Sequence, residues 1–293
     1  MAPSTVLGIA ALLAATFMWP AQAQVTGAGS TFAQPILSGW SHAYQRADAD
    51  KEFQPFGAAL DYEPIGSQGG IMRAREAAVD FGATDVPLPS GELAKLGLGQ
   101  FPFAIGGVVA VVSVPGVGPG QLRLTGELLA DIYLGRVTTW ADQAVAAVNP
   151  GLALPDAPIA VVHRSDGSGT TFNFTAFLSA HSPRWQAEVG HDLLVRWPTG
   201  AGVKGNDGVA AAVGRTANAI GYVDFAQARR AGLSYALVRN RAGTFVRPGV
   251  ESFQAAATSA DWQGAADFDL PLTDALAPEA YPIVAATFAL MPR

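Results

Sequence analysis

Apolar residues in this chain fall into short runs with two distinct spacings. Leu60–Ile65, Asp80–Ala83, Ile105–Val114, Ile159–His163, Ile220–Val223 and Ile283–Leu290 are brief β-branched or apolar stretches bounded by Gly, Pro or polar residues, and they predict strands. Between them the apolar positions recur at helical spacing. Leu128, Leu129, Ile132 and Tyr133 share one helix face, with Thr125 placed to cap it and Gly135 to end it. Asp207 stands before Val209–Gly214 in the same capping manner, and Ile36, Leu37, Trp40 and Tyr44 mark a further amphipathic helix. This alternation predicts an α/β fold in which helices cover a sheet. Pro115–Gly120 is a Pro/Gly-rich break and a candidate crossing between two halves. There is no internal repeat, low-complexity block or charge run.

The N-terminus follows neither spacing. Residues 1–23 contain no Asp, Glu, Lys or Arg, and Val6 to Trp19 is almost wholly apolar. That run is short for a bilayer span, which needs about 20 residues. Pro20 breaks it, and Ala21-Gln22-Ala23 has the small-x-small form of a cleavage site, so residues 1–23 read as a signal peptide and Gln24 as the mature start. No later stretch reaches about 18 uninterrupted apolar residues. A soluble, periplasmic product is expected.

Composition narrows the function classes. A chain of 293 residues has room for two domains. It is 49% hydrophobic and only 14% charged, which excludes a disordered chain. A net charge of −6 argues against nucleic-acid binding, which usually needs a basic face. The absence of cysteine excludes disulfides, Cys-ligated zinc, iron–sulfur clusters, a thiol nucleophile and a lipid-modified N-terminal cysteine. His42, His163, His181 and His191 form no HExxH or i,i+4 zinc pattern, so neither metal nor cofactor is expected. Only His163, beside Arg164, falls near a candidate site. Tryptophans such as Trp140, Trp185 and Trp197 read as packing residues rather than a sugar cleft.

The candidate chemistry lies in four places. Gly27-Ala28-Gly29-Ser30-Thr31-Phe32 precedes an amphipathic helix, and Gly66-Ser67-Gln68-Gly69-Gly70 lies between a strand and a helix. Asp85 ends the short strand Phe81-Gly82-Ala83-Thr84. Arg164-Ser165-Asp166-Gly167-Ser168-Gly169-Thr170-Thr171 joins a strand to a helix carrying Phe174 and Phe177. Three of the four are strand–turn–helix junctions rich in Gly, Ser and Thr. A helix N-terminus presents free N–H groups and a partial positive charge, glycine admits a close ligand, and a hydroxyl adds a donor. Such a junction binds an oxyanion without net positive protein charge.

Competing motifs fail on spacing. Phe32 stands where a dinucleotide fingerprint after Gly27 and Gly29 wants its third glycine. Lys204 precedes Gly205, and no Ser or Thr follows, so there is no Walker A loop. Asp166 replaces the first glycine of a G-x-S-x-G elbow around Ser168.

Taken together with Asp131-Ile132-Tyr133-Leu134-Gly135 and Lys204-Gly205-Asn206-Asp207-Gly208, these segments resemble the periplasmic phosphate-binding proteins of Pst-type ABC transporters, from about Val25 to about Leu290. The resemblance implies a two-lobed type II periplasmic binding protein, each lobe a sheet flanked by helices, with the ligand in the interlobe cleft. It implies lobe I over residues 24–115, lobe II over 116–245 and a return to lobe I over 246–293. By position, the phosphate contacts fall on Thr31, the backbone N–H of Phe32, Ser67 and Asp85 from lobe I. Those from lobe II fall on Arg164, Ser168, Gly169 and Thr170, with Asp166 orienting Arg164. Two departures accompany it. Gln68 follows Ser67 where the family often has a second small hydroxyl residue. The chain also stops at Arg293, where similar proteins continue with helices that complete lobe I, so an incomplete, less stable lobe I is expected.

The expected function is therefore high-affinity capture of inorganic phosphate in the periplasm. Delivery would be to the membrane permease and ATPase subunits of an ABC importer, with no covalent chemistry. The alternatives are a secreted phosphatase or phosphotransferase using Ser168 or Thr170 as nucleophile, and a binding protein for another tetrahedral oxyanion such as sulfate.

Overall fold

The computed structural model describes residues 25–49 and 60–293. The expected signal peptide and its cleavage site lie outside the described residues. The chain opens with β1 (Thr26–Gly29), α1 (Gln34–Ala49), β2 (Asp61–Glu63), α2 (Ser67–Arg75), β3 (Phe81–Thr84), α3 (Ser90–Leu96) and the long β4 (Leu98–Ser113). It continues with β5 (Arg123–Leu124), α4 (Gly126–Tyr133), α5 (Gln143–Val148), β6 (Ala160–Arg164), α6 (Gly169–His181), α7 (Pro183–Glu188) and β7 (Ala201–Val203). Next come α8 (Gly205–Arg215), β8 (Ala219–Asp224), α9 (Phe225–Arg230), β9 (Ser234–Tyr235), β10 (Leu237–Arg239), β11 (Phe245–Val246) and α10 (Val250–Thr258). A short 3₁₀ turn (Ala266–Phe268) and β12 (Val284–Pro292) complete it.

The strands run in the order β2-β1-β3-β12-β4-β8-β6-β7, with β9 also on β4 and a small separate sheet β11-β10-β5. β4 belongs to both halves. Leu98–Gly107 pairs antiparallel with β12, and Val108–Ser113 pairs antiparallel with β8. The passage between the halves therefore runs within β4, and Pro115–Gly120 is the turn beyond its end. The expected strand Ile105–Val114 begins seven residues too late, at Ile105 instead of Leu98. Pro102 hides the earlier part: it lacks a ladder donor and sits where the β12 register shifts between Thr287 and Phe288.

Each half buries its own elements. Val108–Val112 is fully buried, as expected of a strand covered on both faces. The expected helix over 128–133 is α4: Thr125 Oγ1 accepts from Leu128 N at 3.2 Å, and Leu128, Leu129, Ile132 and Tyr133 are buried. α8 begins two residues before the expected cap. Gly205 starts it, and Asp207 lies in its first turn instead of capping it. Trp140 and Trp185 are fully buried packing residues. On the first half, Trp40 of α1 (49% exposed) and Phe101 and Ile105 of β4 (47% and 42%) leave an apolar face open.

Candidate functional site

The C-terminal ends of β1, β3 and β6 meet the N-termini of α1, α2 and α6 where the two halves touch. Each junction contributes a side chain because the chain must turn there from strand to helix, leaving helix N–H groups to be satisfied.

At the β1–α1 turn, the Ser30 hydroxyl accepts from Phe32 N (3.0 Å) and Ala33 N (3.3 Å) and donates to the Asp85 carboxylate at 2.7 Å. The Phe32 N–H, expected at the ligand, is thus held by Ser30 in this structure. At the β2–α2 turn, Gly66 adopts φ +89°, and its surroundings leave no space for a side chain: a Cβ there would lie 2.6 Å from Gly167 O of the other half. Ser67 follows, accepting from Asp85 N and from Gly169 N, both at 3.1 Å. The second of these bonds crosses between the halves.

Asp85, just after β3, is buried and surrounded by hydroxyls. Ser30 and Thr287 each donate to Oδ1 at 2.7 Å, and Ser67 lies 3.4 Å from Oδ2. Burial pushes its carboxyl up to about 6, opposed by the bonds from Ser30 and Thr287 and by the Arg164 charge. Above that value it is an ionised acceptor.

Arg164 ends β6 and is almost completely buried. Its Nε donates to Asp166 Oδ1 at 2.7 Å and its Nη2 to Asp166 Oδ2. Nη1 donates to Asn206 Oδ1 at 2.6 Å and to Thr31 Oγ1 at 3.3 Å, the latter across the halves. Burial alone would raise the Asp166 carboxyl, but the Arg164 guanidinium and the Gly205 N–H hold it below its usual range. Ser168 caps α6, its hydroxyl accepting from Thr171 N at 3.1 Å, and Gly169 and Thr170 form the buried first turn.

Six of the eight expected contact residues are therefore tied to the same cluster by hydrogen bonds or by position in one helix turn: Thr31, Ser67, Asp85, Arg164, Gly169 and Thr170. Phe32 and Ser168 adjoin it while satisfying their own turns. His163 is adjacent but faces away, stacked on Trp197 with ring centroids 4.8 Å apart, and burial holds it below the ordinary histidine value. Among the described residues no group of three His, Asp or Glu side chains is arranged to hold a metal ion.

Four participants escape sequence reasoning. Ser30 and Thr287 bond Asp85. Asn206 bonds Arg164 and passes its amide to the buried Asp224 at 2.9 Å. Asn173 of α6 donates to Asp85 O at 2.8 Å, another link between the halves. Asn206 stands inside a quoted segment and Ser30 inside another, so a signal existed for both. For Thr287 the only signal is a hydroxyl in an apolar strand.

A PBP superfamily domain model matches residues 19–293. The phosphate-binding protein PstS of Xylella fastidiosa is 50% identical over 270 residues, covering 92% of this chain and 72% of that protein. The chain belongs to the PstS phosphate-binding protein family. The PstS of Pasteurella multocida is 45% identical over 282 residues, covering 96% of this chain and 80% of that one. Solved structures agree on the fold. A phosphate ABC transporter substrate-binding protein from Clostridium perfringens superposes with TM-score 0.64 at 21% identity, covering 92% of this chain and 86% of its own. A phosphate-binding protein from Stenotrophomonas maltophilia gives 0.65 at 21%, covering 92% and 79%. The PstS-family chain has the two-lobed type II periplasmic binding fold, with the hydroxyl, carboxylate and guanidinium cluster where its lobes meet.

Proposed function

We propose that this chain binds inorganic phosphate between its lobes and hands it to an ABC importer, as a binding protein and not an enzyme. The proposed ligand contacts are Thr31, Phe32 N–H, Ser67 and Asp85 from lobe I and Arg164, Ser168, Gly169 and Thr170 from lobe II. We keep the assignment of lobe I to residues 24–115, lobe II to 116–245 and the return to lobe I to 246–293, with the first crossing placed inside β4 where its pairing passes from β12 to β8.

The reading rests on one observation: a buried guanidinium and a buried carboxylate stand in one hydrogen-bonded cluster where the two halves meet. Arg164 is held side-on by Asp166, so the pair carries no net charge. The ligand's negative charge is met instead by the dipoles of the α1, α2 and α6 N-termini and by hydroxyl and N–H donors. Asp85 is meaningful only to an anion that carries a proton. Phosphate near neutral pH always has at least one O–H to donate, whereas sulfate has none, so sulfate would set two acceptors against each other. While its acceptor stays ionised, a site built for a ligand hydrogen bond rejects the isostere lacking it by about 10⁴–10⁵.

An enzymatic reading has no activating base: the Ser168 hydroxyl is occupied as a helix cap. We further propose export to the periplasm through residues 1–23, and docking of the loaded, closed form on permease subunits. Titration calorimetry with phosphate, run beside turnover of a chromogenic phosphomonoester, tests the function. Binding of one phosphate per chain without turnover is expected, and turnover dependent on Ser168 would overturn it.

A further inference from the structure

β12 runs antiparallel to β3 with Phe288 opposite Thr84, Ala289 opposite Ala83 and Leu290 opposite Gly82. The same register sets Thr287 opposite Asp85. Thr287 is fully buried, and its hydroxyl donates to Asp85 Oδ1 at 2.7 Å across 202 residues of sequence. Thr287 makes no other side-chain hydrogen bond among the described residues. Ser30, by contrast, has one proton for both carboxylate oxygens and accepts from two helix N–H groups besides. Asp85 Oδ2 points the other way, 2.8 Å from where a Cβ on Gly169 would stand, toward the N-terminus of α6.

We propose that Thr287 is a positioning residue for anion selectivity: it fastens one oxygen of Asp85 so that the other stays turned to the cleft as an acceptor for a protonated oxyanion. This rests on the phosphate-binding reading above. The consequence is chemical. A hydroxyl donating to a carboxylate favours its ionised form. Asp85 is held near 6 by burial, with Ser30 and Thr287 the leading opposing donors. The charged and titratable groups around it are Arg164 of β6, which lowers it, Asp224 of β8, which raises it, and Tyr62 of β2, whose phenol donates to Ser30 O. From α6 and α2 the neighbours are the neutral Asn173 and Ser67. Once Asp85 is protonated it becomes a donor, and the barrier against an unprotonated anion disappears. Thr287 thus sets the pH at which the site stops rejecting sulfate.

The test is the variant Thr287→Val, which keeps the branched shape and removes the donor, beside Thr287→Ser, which keeps it. Sulfate affinity is measured from pH 5 to 8.5 in each, with phosphate at pH 8 as reference. In ligand-free protein the Asp85 carboxyl is followed by ¹³C NMR. In the unsubstituted protein sulfate binding should rise on acidification, tracking Asp85. In Thr287→Val the NMR midpoint and the onset of sulfate binding should both move up by about one pH unit, so that sulfate binds about fivefold tighter at pH 7 and about tenfold tighter at pH 8. Thr287→Ser should follow the unsubstituted protein. If Thr287→Val does not fold, Thr287→Ala carries the same expectation. Superimposed curves for the Val or Ala variant and the parent would overturn the proposal. Failure of the parent itself to bind phosphate would instead overturn the functional reading, and the NMR midpoint would still decide whether Thr287 tunes Asp85.

Discussion

Arg164 and Asp166 meet side-on, Nε to Oδ1 at 2.7 Å and Nη2 to Oδ2, which turns the remaining guanidinium nitrogen toward Asn206 and Thr31. Asp166 thereby spends two of the five donors to fix the plane of the other three. Removing one member of such a buried pair strands the other, at about 3–5 kcal/mol. Arg164→Ala should therefore lose at least a hundredfold in phosphate affinity. Arg164→Lys should recover little of it, since an ammonium cannot bond Asp166 and the cleft with one fixed fork. Affinity within about threefold of the parent, measured by calorimetry, would mean that Arg164 serves the fold and not the ligand.

Asp85 imposes a cost on the folded chain. Burial lifts its carboxyl to about 6 from an ordinary 3.8, so the folded state holds this proton more tightly than the unfolded state does. Its contribution favours folding below the unfolded value and is lost as pH rises through about 6. Ligand-free Asp85→Asn should be more stable than the parent at pH 8, by on the order of 3 kcal/mol, with the difference shrinking towards pH 4. Thermal unfolding across that pH range checks it; a constant difference would assign the effect to packing.

The approach of the lobes depends on bare backbone at Gly167. A Cβ there would lie 2.4 Å from Gln68 Cβ and 2.1 Å from its Oε1, while Gln68 N donates to Gly167 O at 3.2 Å. Gly167→Ala should weaken phosphate binding about tenfold by opposing closure, a cost of roughly 1–3 kcal/mol for overpacking. Adding Gln68→Gly, which removes the Cβ as well as the amide, should restore much of it. Small-angle scattering with saturating phosphate would report whether the variant stays open.

How far the site was legible depends on how local each contact is. Thr31, Ser67, Arg164, Asp166 and Ser168 belong to strand–turn–helix junctions, where the need to satisfy helix N–H groups marks the residues within a few positions. Asn173, Asn206 and Thr287 acquire their partners from the order of strands and helices, which no window of residues encodes. Thr287 reaches Asp85 only because the last strand inserts between β3 and β4. The early part of β4 is hidden for a related reason: Gly99 and Pro102 interrupt the pattern in a segment that pairing with β12 holds in the sheet.

Ligand linkage gives a further expectation. An anion bound to the folded chain alone stabilises it by about 2.7 kcal/mol at one hundred times Kd. Phosphate should raise the melting temperature in proportion to the logarithm of its concentration, and sulfate at pH 8 should not.

The most direct measurement is competition calorimetry of phosphate and sulfate on the unsubstituted protein at pH 8, where Asp85 is ionised. Phosphate should bind one to a chain, and sulfate should compete only at concentrations about a hundredfold higher, a ratio set by the small protonated fraction of a carboxyl near 6. Sulfate binding within tenfold of phosphate would contradict the assignment of Asp85 as the acceptor that recognises a protonated oxyanion.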